Sequence, residues 1–254
     1  MSSHQVLQQL RQLKLTGIAD ALDTQINQPN TYDDLGFIER LELLVGQEIT
    51  YRENKRLQRL LRGAKFKLSA RLEDLDYAHP RGLKKTQIAT LQTGEWIARH
   101  HNLAMTGPTG CGKTYLACAL GYQACLQGYS VRYFRASRLF EALTLSHADG
   151  SYLKFMGQLA KVDVLLIDDW GMERLTQSQR NDLLELMDDR HAARSTMITS
   201  QLPVSQWHEF IADPTLADAI LDRVLHSAHK LNLKGQGDSM RKKHGALSEN
   251  EHLD

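Results

Sequence analysis

Residues 107–114 read Gly107-Pro108-Thr109-Gly110-Cys111-Gly112-Lys113-Thr114, the G-x-x-x-x-G-K-T pattern of a phosphate-binding loop. The loop lies between a short apolar run, Leu103 to Met105, and a run of helical character, Tyr115 to Gln127. Glycines let successive backbone N–H groups surround a phosphate, and the following helix presents its positive end. Lys113 is expected to reach the terminal phosphates and Thr114 to ligate Mg²⁺. The stretch predicts binding of a nucleoside triphosphate.

A second motif supplies acids to the same site. Val164-Leu165-Leu166-Ile167 is an apolar run with a β-branched residue at each end, typical of a buried strand, and it ends in Asp168 and Asp169. We expect Asp168 to hold the Mg²⁺ through water and Asp169 to polarise the attacking water. Acids that simply face solvent at a strand end are the alternative. Together the two motifs favour ATP hydrolysis over ATP binding alone.

Two further positions are candidates for timing hydrolysis. The segment Thr199-Ser200-Gln201 ends a predicted strand, and Ser200 or Gln201 would orient the water at the γ-phosphate. A polar strand end with internally satisfied hydrogen bonds is the alternative. Arg223 follows on a predicted helix and could project to the ATP of a neighbouring subunit as an arginine finger. An ordinary surface arginine would pair with Asp218 or Asp222 instead.

Charge is distributed unevenly along the chain. The formal net charge is +1, but the window from Tyr51 to Arg71 holds eight cations and one acid, Glu53, and therefore carries +7. The cations repeat at helical spacing, which predicts a basic helix face that contacts phosphates. A solvated face is the alternative, although such faces are normally laced with acids. Few aromatics interleave, which favours duplex over single-stranded DNA. The candidate DNA-binding residues are Arg52, Lys55, Arg56, Arg59, Arg62, Lys65 and Lys67.

The chain is expected to contain a helical N-terminal DNA- and partner-binding domain, residues 1–78, and an ATPase domain, residues 79–244, followed by a disordered tail, 245–254. Asp33 or Asp34 is the expected N-cap of the second helical run, and Tyr77–Gly82 the expected hinge. Beyond it, alternating strands and helices predict an α/β fold with a parallel sheet. The predicted strands are 103–105, 130–134, 164–168, 196–200 and 230–233, and the main helices are 177–191 and 216–228.

Composition argues for a cytoplasmic protein. No apolar run approaches the roughly 20 residues of a membrane helix, and Met1 to Arg11 is too polar for a secretion signal. The three cysteines, Cys111, Cys118 and Cys125, are spaced by seven along one predicted helix face. That spacing suits packing residues in a reducing compartment better than disulfides.

Several of these segments together resemble a known family. They are G-P-T-G-C-G-K-T (107–114), V-L-L-I-D-D-W-G (164–171), T-S-Q-L-P (199–203), L-D-R-V (221–224), L-K-L-T-G-I-A-D-A-L (13–22) and A-K-F-K (64–67). The chain is similar to the IstB-like ATPases, helper proteins of insertion-sequence transposition within the AAA+ class and relatives of the helicase loaders DnaC and DnaI. The resemblance implies a P-loop NTPase fold, an ATP-dependent homo-oligomer that deforms duplex DNA, and recruitment of an IstA-like transposase. It also implies that Arg223 is the finger acting in trans.

Two positions depart from that class. The second acid of the strand is usually Glu, and Asp169 is one methylene shorter, so slow hydrolysis without DNA or partner is expected. The chain after the fifth predicted strand is too short for a full helical lid, and Arg241 would substitute only in part for the lid arginine.

Three function classes compete on the sequence: a DNA-remodelling transposition helper, a helicase loader, and a metabolic P-loop kinase. The kinase accounts for neither the basic helical window nor the polar strand end. The loader shares every ATPase motif but acts on a replicative helicase and single strands.

Overall fold

The computed structural model describes residues 3–235. The chain divides into two compact units, Met1–Arg59 and Leu60–Asp254. Arg241 and the predicted tail, 245–254, lie outside the described residues. The unit boundary precedes the predicted domain boundary at 78/79, because residues after Leu60 pack into the second unit. Leu72 and Leu75 are buried there, and a Cβ on Gly121 would meet the Phe66 ring at 2.6 Å.

The first unit is helical, as its spacing predicts. It contains α1 (Ser3–Gln12), α2 (Thr16–Asn27), α3 (Pro29–Tyr32) and most of α4 (Phe37–Ala64). The expected N-cap at Asp33 or Asp34 is wrong, because α4 begins only after Gly36. The Gly36 N–H donates to Glu39 Oε2 at 2.7 Å, so the first turn of α4 is capped by its own glutamate.

A close helix contact explains the L-T-G-I-A-D-A-L segment. A Cβ on Gly17 would lie 2.7 Å from the Glu48 Cα, so only glycine lets α2 approach α4 this closely. The buried Glu48 carboxylate accepts the Ile18 N–H at 3.1 Å and the Arg52 Nε–H at 2.7 Å. These hydrogen bonds hold the pKa of Glu48 below its usual range, with the Arg52 bond the largest cause. The segment thus serves packing between helices of the first unit.

The second unit is built on a five-stranded parallel sheet in the order β2-β3-β4-β1-β5. The predicted α/β fold is confirmed, and all five predicted strands are present to within a few residues. The strands are β1 (Leu103–Thr106), β2 (Val131–Arg135), β3 (Val164–Trp170), β4 (Ser195–Ser200) and β5 (His229–Asn232). The helices are α5 (Lys85–Gln92), α6 (Glu95–Ala98), α7 (Lys113–Leu126), α8 (Ala136–Ala148), α9 (Tyr152–Lys161), α10 (Gln177–Arg190), α11 (Trp207–Ile211) and α12 (Pro214–Leu225).

Local sequence explains where these elements begin. Thr176 and Gln179 form a capping box at the start of α10, and Asp213 caps α12 by accepting the Leu216 N–H. Strands β3 and β4 are buried along nearly their whole length, as a central parallel strand requires. The carboxyl ends of parallel strands meet at one edge of the sheet, which brings the phosphate-binding loop and the two acids together. Within residues 3–235, no helix is both long and apolar enough to cross a bilayer.

Candidate active site

The phosphate-binding loop connects β1 to α7, as the motif predicts. Gly112 adopts φ +87° immediately before the first residue of α7, a backbone conformation that favours glycine. Gly107 is required for a different reason, because a Cβ there would lie 2.3 Å from the Leu233 carbonyl oxygen. The loop therefore leads directly into the first turn of α7, where free backbone N–H groups and the helix dipole stabilise an anion.

Lys113 lies across the loop. Its side chain is 6% exposed, and its Nζ donates to the Gly107 oxygen at 2.6 Å and the Pro108 oxygen at 2.8 Å. Both acceptors are neutral carbonyls, so the positive charge stays available to a phosphate. The contact of Lys113 with the terminal phosphates stays a prediction.

Asp168 is fully buried and is held by hydroxyl groups on three other elements. Thr114 Oγ1 lies 3.0 and 3.1 Å from its two carboxylate oxygens. The Tyr133 hydroxyl donates to Oδ2 at 2.8 Å, and the Thr199 hydroxyl donates to Oδ1 at 2.5 Å. All these donors are neutral hydroxyls, so no cation of the described residues pairs with this carboxylate in these hydrogen bonds, and Thr114 supplies a second oxygen beside it. That donor set fits a hard divalent cation such as Mg²⁺.

Tyr133 and Thr199 are site residues that sequence reasoning missed. Burial and the neighbouring Asp168 raise the pKa of the Tyr133 phenol, which keeps it a hydrogen-bond donor. Thr199 belongs to the T-S-Q segment, but the expected roles there went to its two neighbours. The signal lies in the sheet, because β2 and β4 flank β3 and present every second side chain to the same face.

Asp169 has an unusual backbone. Its φ is +59°, and the pairing of β3 with β4 shifts register between Ile167 and Trp170. A non-glycine residue in this region stores strain that the surrounding structure must offset. The Asp169 N–H donates to Thr199 Oγ1 at 3.2 Å, which ties the bulge to β4.

The Asp169 carboxylate is paired with a cation. Arg135, the last residue of β2, places Nε 3.1 Å and Nη2 3.0 Å from Asp169 Oδ2. The Asp169 side chain is 22% exposed and the Arg135 side chain 51%, so the pair lies within reach of solvent and solutes. Oxygen Oδ2 of Asp169 is thus occupied by the Arg135 guanidinium and does not stand free beside the phosphate-binding loop.

The two candidate water-orienting residues differ in their surroundings. Gln201 Oε1 accepts the Thr109 hydroxyl at 2.7 Å, so this side chain lies on the phosphate-binding loop. The Ser200 hydroxyl is buried, donates to the Trp170 oxygen at 2.7 Å and accepts the Leu202 N–H at 3.0 Å. Ser200 is thus engaged by backbone, while Gln201 stands beside the nucleotide loop.

Arg223 is partnered within its own chain. Its Nε donates to Asp188 Oδ1 at 2.5 Å, and its Nη1 donates to the Ala219 oxygen at 2.9 Å. The partner is an acid on α10, and neither of the acids considered from the sequence, Asp218 and Asp222. The Arg223 side chain is 28% exposed, so part of it remains accessible from outside the chain.

A cavity of about 640 Å³ lies over the phosphate-binding loop, a size typical of small-ligand sites. Asp169 and Gln201 line it, and so does a segment before β1 that includes Lys67, Leu68, Leu75 and Arg81. Lys67, a predicted DNA contact, therefore borders the nucleotide cavity. Sequence reasoning did not assign the segment before β1 to this site.

Comparison with known proteins identifies the family. The profile of the family described as IstB-like ATP binding protein matches residues 8–248. The chain belongs to this family. It is 53% identical over 206 residues to the insertion sequence IS1162 ATP-binding protein of Pseudomonas fluorescens, covering 81% of this chain and 89% of that protein. An insertion sequence ATP-binding protein of Sinorhizobium fredii is 46% identical over 236 residues, covering 93% of this chain and 96% of the relative.

Solved structures show the same fold in other AAA+ proteins. The DnaC helicase loader superposes with a TM-score of 0.54 at 22% identity and covers 67% of this chain and all of that one. AMPPCP-bound DnaA from Aquifex aeolicus superposes with a TM-score of 0.55 at 18% identity, covering 74% of this chain and 56% of that one. The predicted P-loop fold and the predicted IstB-like family are both confirmed, and the chain is an ATPase of this family.

The predicted basic face of this IstB-like chain is exposed. Arg52 to Arg59 lie in the first unit, and Arg62 to Lys67 in the second. Glu53 is the one acid inside the window, but Glu48, one helical turn before Arg52, also reaches it and pairs with Arg52 at 2.7 Å. Lys55 lies 5.7 Å above the Tyr51 ring. The exposed candidates are Arg52, Lys55, Arg56, Arg59, Arg62, Lys65 and Lys67.

Proposed function

We propose that this ATPase assists transposition: copies bound to ATP assemble on duplex DNA, deform it, and recruit and stimulate a transposase. The observation that carries the proposal is an exposed cationic face on α4 in a chain whose phosphate-binding loop leads to Thr114 beside the buried Asp168. The names of the relatives, insertion sequence ATP-binding proteins, connect the family with transposition. We also propose that the protein acts in the cytoplasm.

The roles of the site residues follow from their contacts. Residues 107–114 would surround the phosphates, and Lys113 would exchange its two carbonyl acceptors for the terminal phosphates. Thr114 and Asp168 would hold Mg²⁺, which neutralises phosphate charge when bound. Tyr133 and Thr199 would fix the orientation of Asp168.

Hydrolysis requires a water molecule that is oriented and deprotonated beside the γ-phosphate. Asp169 would accept the proton, and Gln201, which already contacts the loop, would orient the water. Ser200 is the weaker candidate, because its hydroxyl is used by the backbone. The ion pair with Arg135 would keep Asp169 from acting until Arg135 is drawn away.

Assembly would complete the site. Arg223 would leave Asp188 and reach the γ-phosphate of the neighbouring copy, so its contribution arises only when two protomers and ATP are together. Such a contact makes the nucleotide a link between protomers. The self-assembled form would be an ATP-dependent homo-oligomer.

DNA would bind through its phosphates. The exposed cations of α4 would neutralise backbone charge without reading sequence, so the affinity would fall steeply with salt. Bending the duplex costs roughly 1–6 kcal/mol, which contacts to several protomers would offset. The transposase would join this complex as a partner protein.

Sedimentation velocity with a slowly hydrolysed ATP analogue and Mg²⁺ tests the proposal, with duplex or single-stranded DNA of equal length. The proposal predicts an oligomer that forms with the analogue and prefers duplex, and that retains the transposase in a pull-down. A chain that stays monomeric with nucleotide and ignores duplex in dilute buffer would overturn it. A strong preference for single strands and for a replicative helicase would favour the helicase-loader alternative.

A further inference from the structure

One wall of the nucleotide cavity comes from a segment that no motif marks. Residues 67–81, which we call the wall segment, lie between α4 and α5, and Leu68 and Leu75 are among its residues that line the cavity. Leu72 and Leu75 are buried, which anchors the segment in the second unit. Two leucines among the segment's otherwise polar lining residues offer a mixed surface, which suits a nucleoside better than a phosphate.

Arg81 ends the wall segment and joins it to the phosphate-binding loop. Its side chain is 1% exposed. Nη1 donates to the Cys111 oxygen in the loop at 3.2 Å, and Nη2 donates to the Asp76 oxygen at 3.0 Å. Its own backbone oxygen accepts the Lys234 N–H at 2.8 Å. Arg81 thus holds three separate segments together at the loop.

One donor of this guanidinium is unused. Arg81 Nε is buried and has no acceptor among the residues that the structure describes. A buried donor without an acceptor is costly, and more so on a charged group. Burial also lowers the pKa of Arg81 below its ordinary value. Arg81 is among the residues that line the nucleotide cavity, so a small movement of its side chain would bring Nε–H to an acceptor on a bound ligand.

We infer that Arg81 is a nucleotide-binding residue: it positions the phosphate-binding loop through Cys111 and donates its Nε–H to an acceptor on the nucleoside half of the bound nucleotide. The phosphates are already served by the loop and Lys113, whereas the wall segment faces the rest of the cavity. The ligand class is an adenosine nucleotide, with a ribose oxygen or a ring nitrogen as the acceptor. The inference depends on ATP binding alone and not on DNA binding or assembly.

Arg81→Lys tests the inference, with Arg190→Lys as the matched control. Arg190 is equally buried and also donates to backbone oxygens, those of Leu159 and Val162, but it does not line the cavity. Lysine keeps the charge but has one nitrogen, so it cannot bridge Cys111 and Asp76 and still donate to a nucleoside. Equilibrium dissociation constants for ATP, ADP and inorganic tripolyphosphate are measured beside the melting temperature of each variant.

Arg81→Lys should weaken the binding of ATP and of ADP by the same factor, about tenfold or more. It should weaken the binding of tripolyphosphate less. Arg190→Lys should lower the melting temperature without changing any affinity. Unchanged ATP affinity in Arg81→Lys would overturn the inference. Equal losses of affinity for ATP and for tripolyphosphate would also overturn it, because they would show that Arg81 only holds the loop in place. If Arg81→Lys does not fold, Arg81→Gln, which retains an amide donor, is measured in the same way and judged by the same ratio of ATP to tripolyphosphate.

Discussion

The nucleotide edge of the sheet and the cationic face of α4 are built on opposite plans. At the sheet edge, side chains hold one another: Asp168 is fully buried and is held by hydroxyls from β2, β4 and α7. Five of the candidate cations lie on α4, and all five are exposed; even Arg52, which pairs with Glu48, keeps 61% of its side chain accessible. Single substitutions should therefore act strongly at the first region, while the second should respond to the sum of its charges.

Arg223→Ala should show the largest effect. It tests whether the nucleotide site includes an arginine from a neighbouring subunit. Loss of an arginine finger is expected to lower assembly-dependent ATP turnover by about 10³-fold or more, while nucleotide affinity of the protomer stays nearly intact. Turnover and affinity are measured with duplex DNA present. Asp188→Asn removes only the intrachain partner of Arg223 and should leave turnover high; equal losses in both variants would mean that the pair is structural.

Asp169→Asn should lower ATP turnover by roughly 10²–10⁴-fold, because the amide cannot accept a proton from water. ATP affinity should change little, since Lys113 and the loop hold the phosphates. Single-turnover hydrolysis and equilibrium binding separate the two quantities. An equal fall in ATP affinity and in turnover would contradict the role of Asp169 as the proton acceptor.

Neutralising three cations of α4 tests whether DNA affinity depends on the summed charge of the cationic face. Replacing Lys55, Arg56 and Arg59 with Gln should weaken duplex binding by a similar factor on any sequence. The slope of log affinity against log salt should flatten by about 0.9 for each DNA phosphate that the variant no longer neutralises. Filter binding over a salt series measures the slope. Arg11→Gln, which removes an exposed cation outside the window, should leave the slope unchanged.

Arg135→Ala should have the smallest effect and the opposite sign. Freeing Asp169 from its ion pair should raise DNA-independent hydrolysis several-fold and reduce any stimulation by DNA. Arg138→Ala is the control, because Arg138 is exposed and pairs with Glu141 on its own helix. A slower Arg135→Ala enzyme would show that Arg135 holds Asp169 in a productive position instead.

The features predictable from sequence are local ones. The phosphate-binding loop lies within eight consecutive residues, and a buried parallel strand is a continuous apolar run, so both can be read from neighbours in the chain. Tyr133 and Thr199 could not be assigned in the same way, because their contact with Asp168 depends on strand order and register. The positive φ of Asp169 depends on a bulge, which no residue type in V-L-L-I-D-D signals. Arg81 precedes its loop partner by 30 residues.

The predicted domain boundary at 78/79 stays a prediction, while the two compact units divide between Arg59 and Leu60. Tyr77–Gly82 has the composition of a hinge, yet Leu72 and Leu75 are buried before it. Likewise, Glu48 escaped notice because it lies outside the charged window while pairing with Arg52 inside it. Charge counts along a window do not show which charges a helix pairs across one turn.

The central claim is that ATP joins protomers so that several cationic faces bind one duplex together. The most direct test measures the salt dependence of affinity for a duplex long enough for several copies, with and without a slowly hydrolysed ATP analogue. The account predicts a markedly steeper slope with the analogue, because each added protomer neutralises further phosphates. Identical slopes under the two conditions would contradict it.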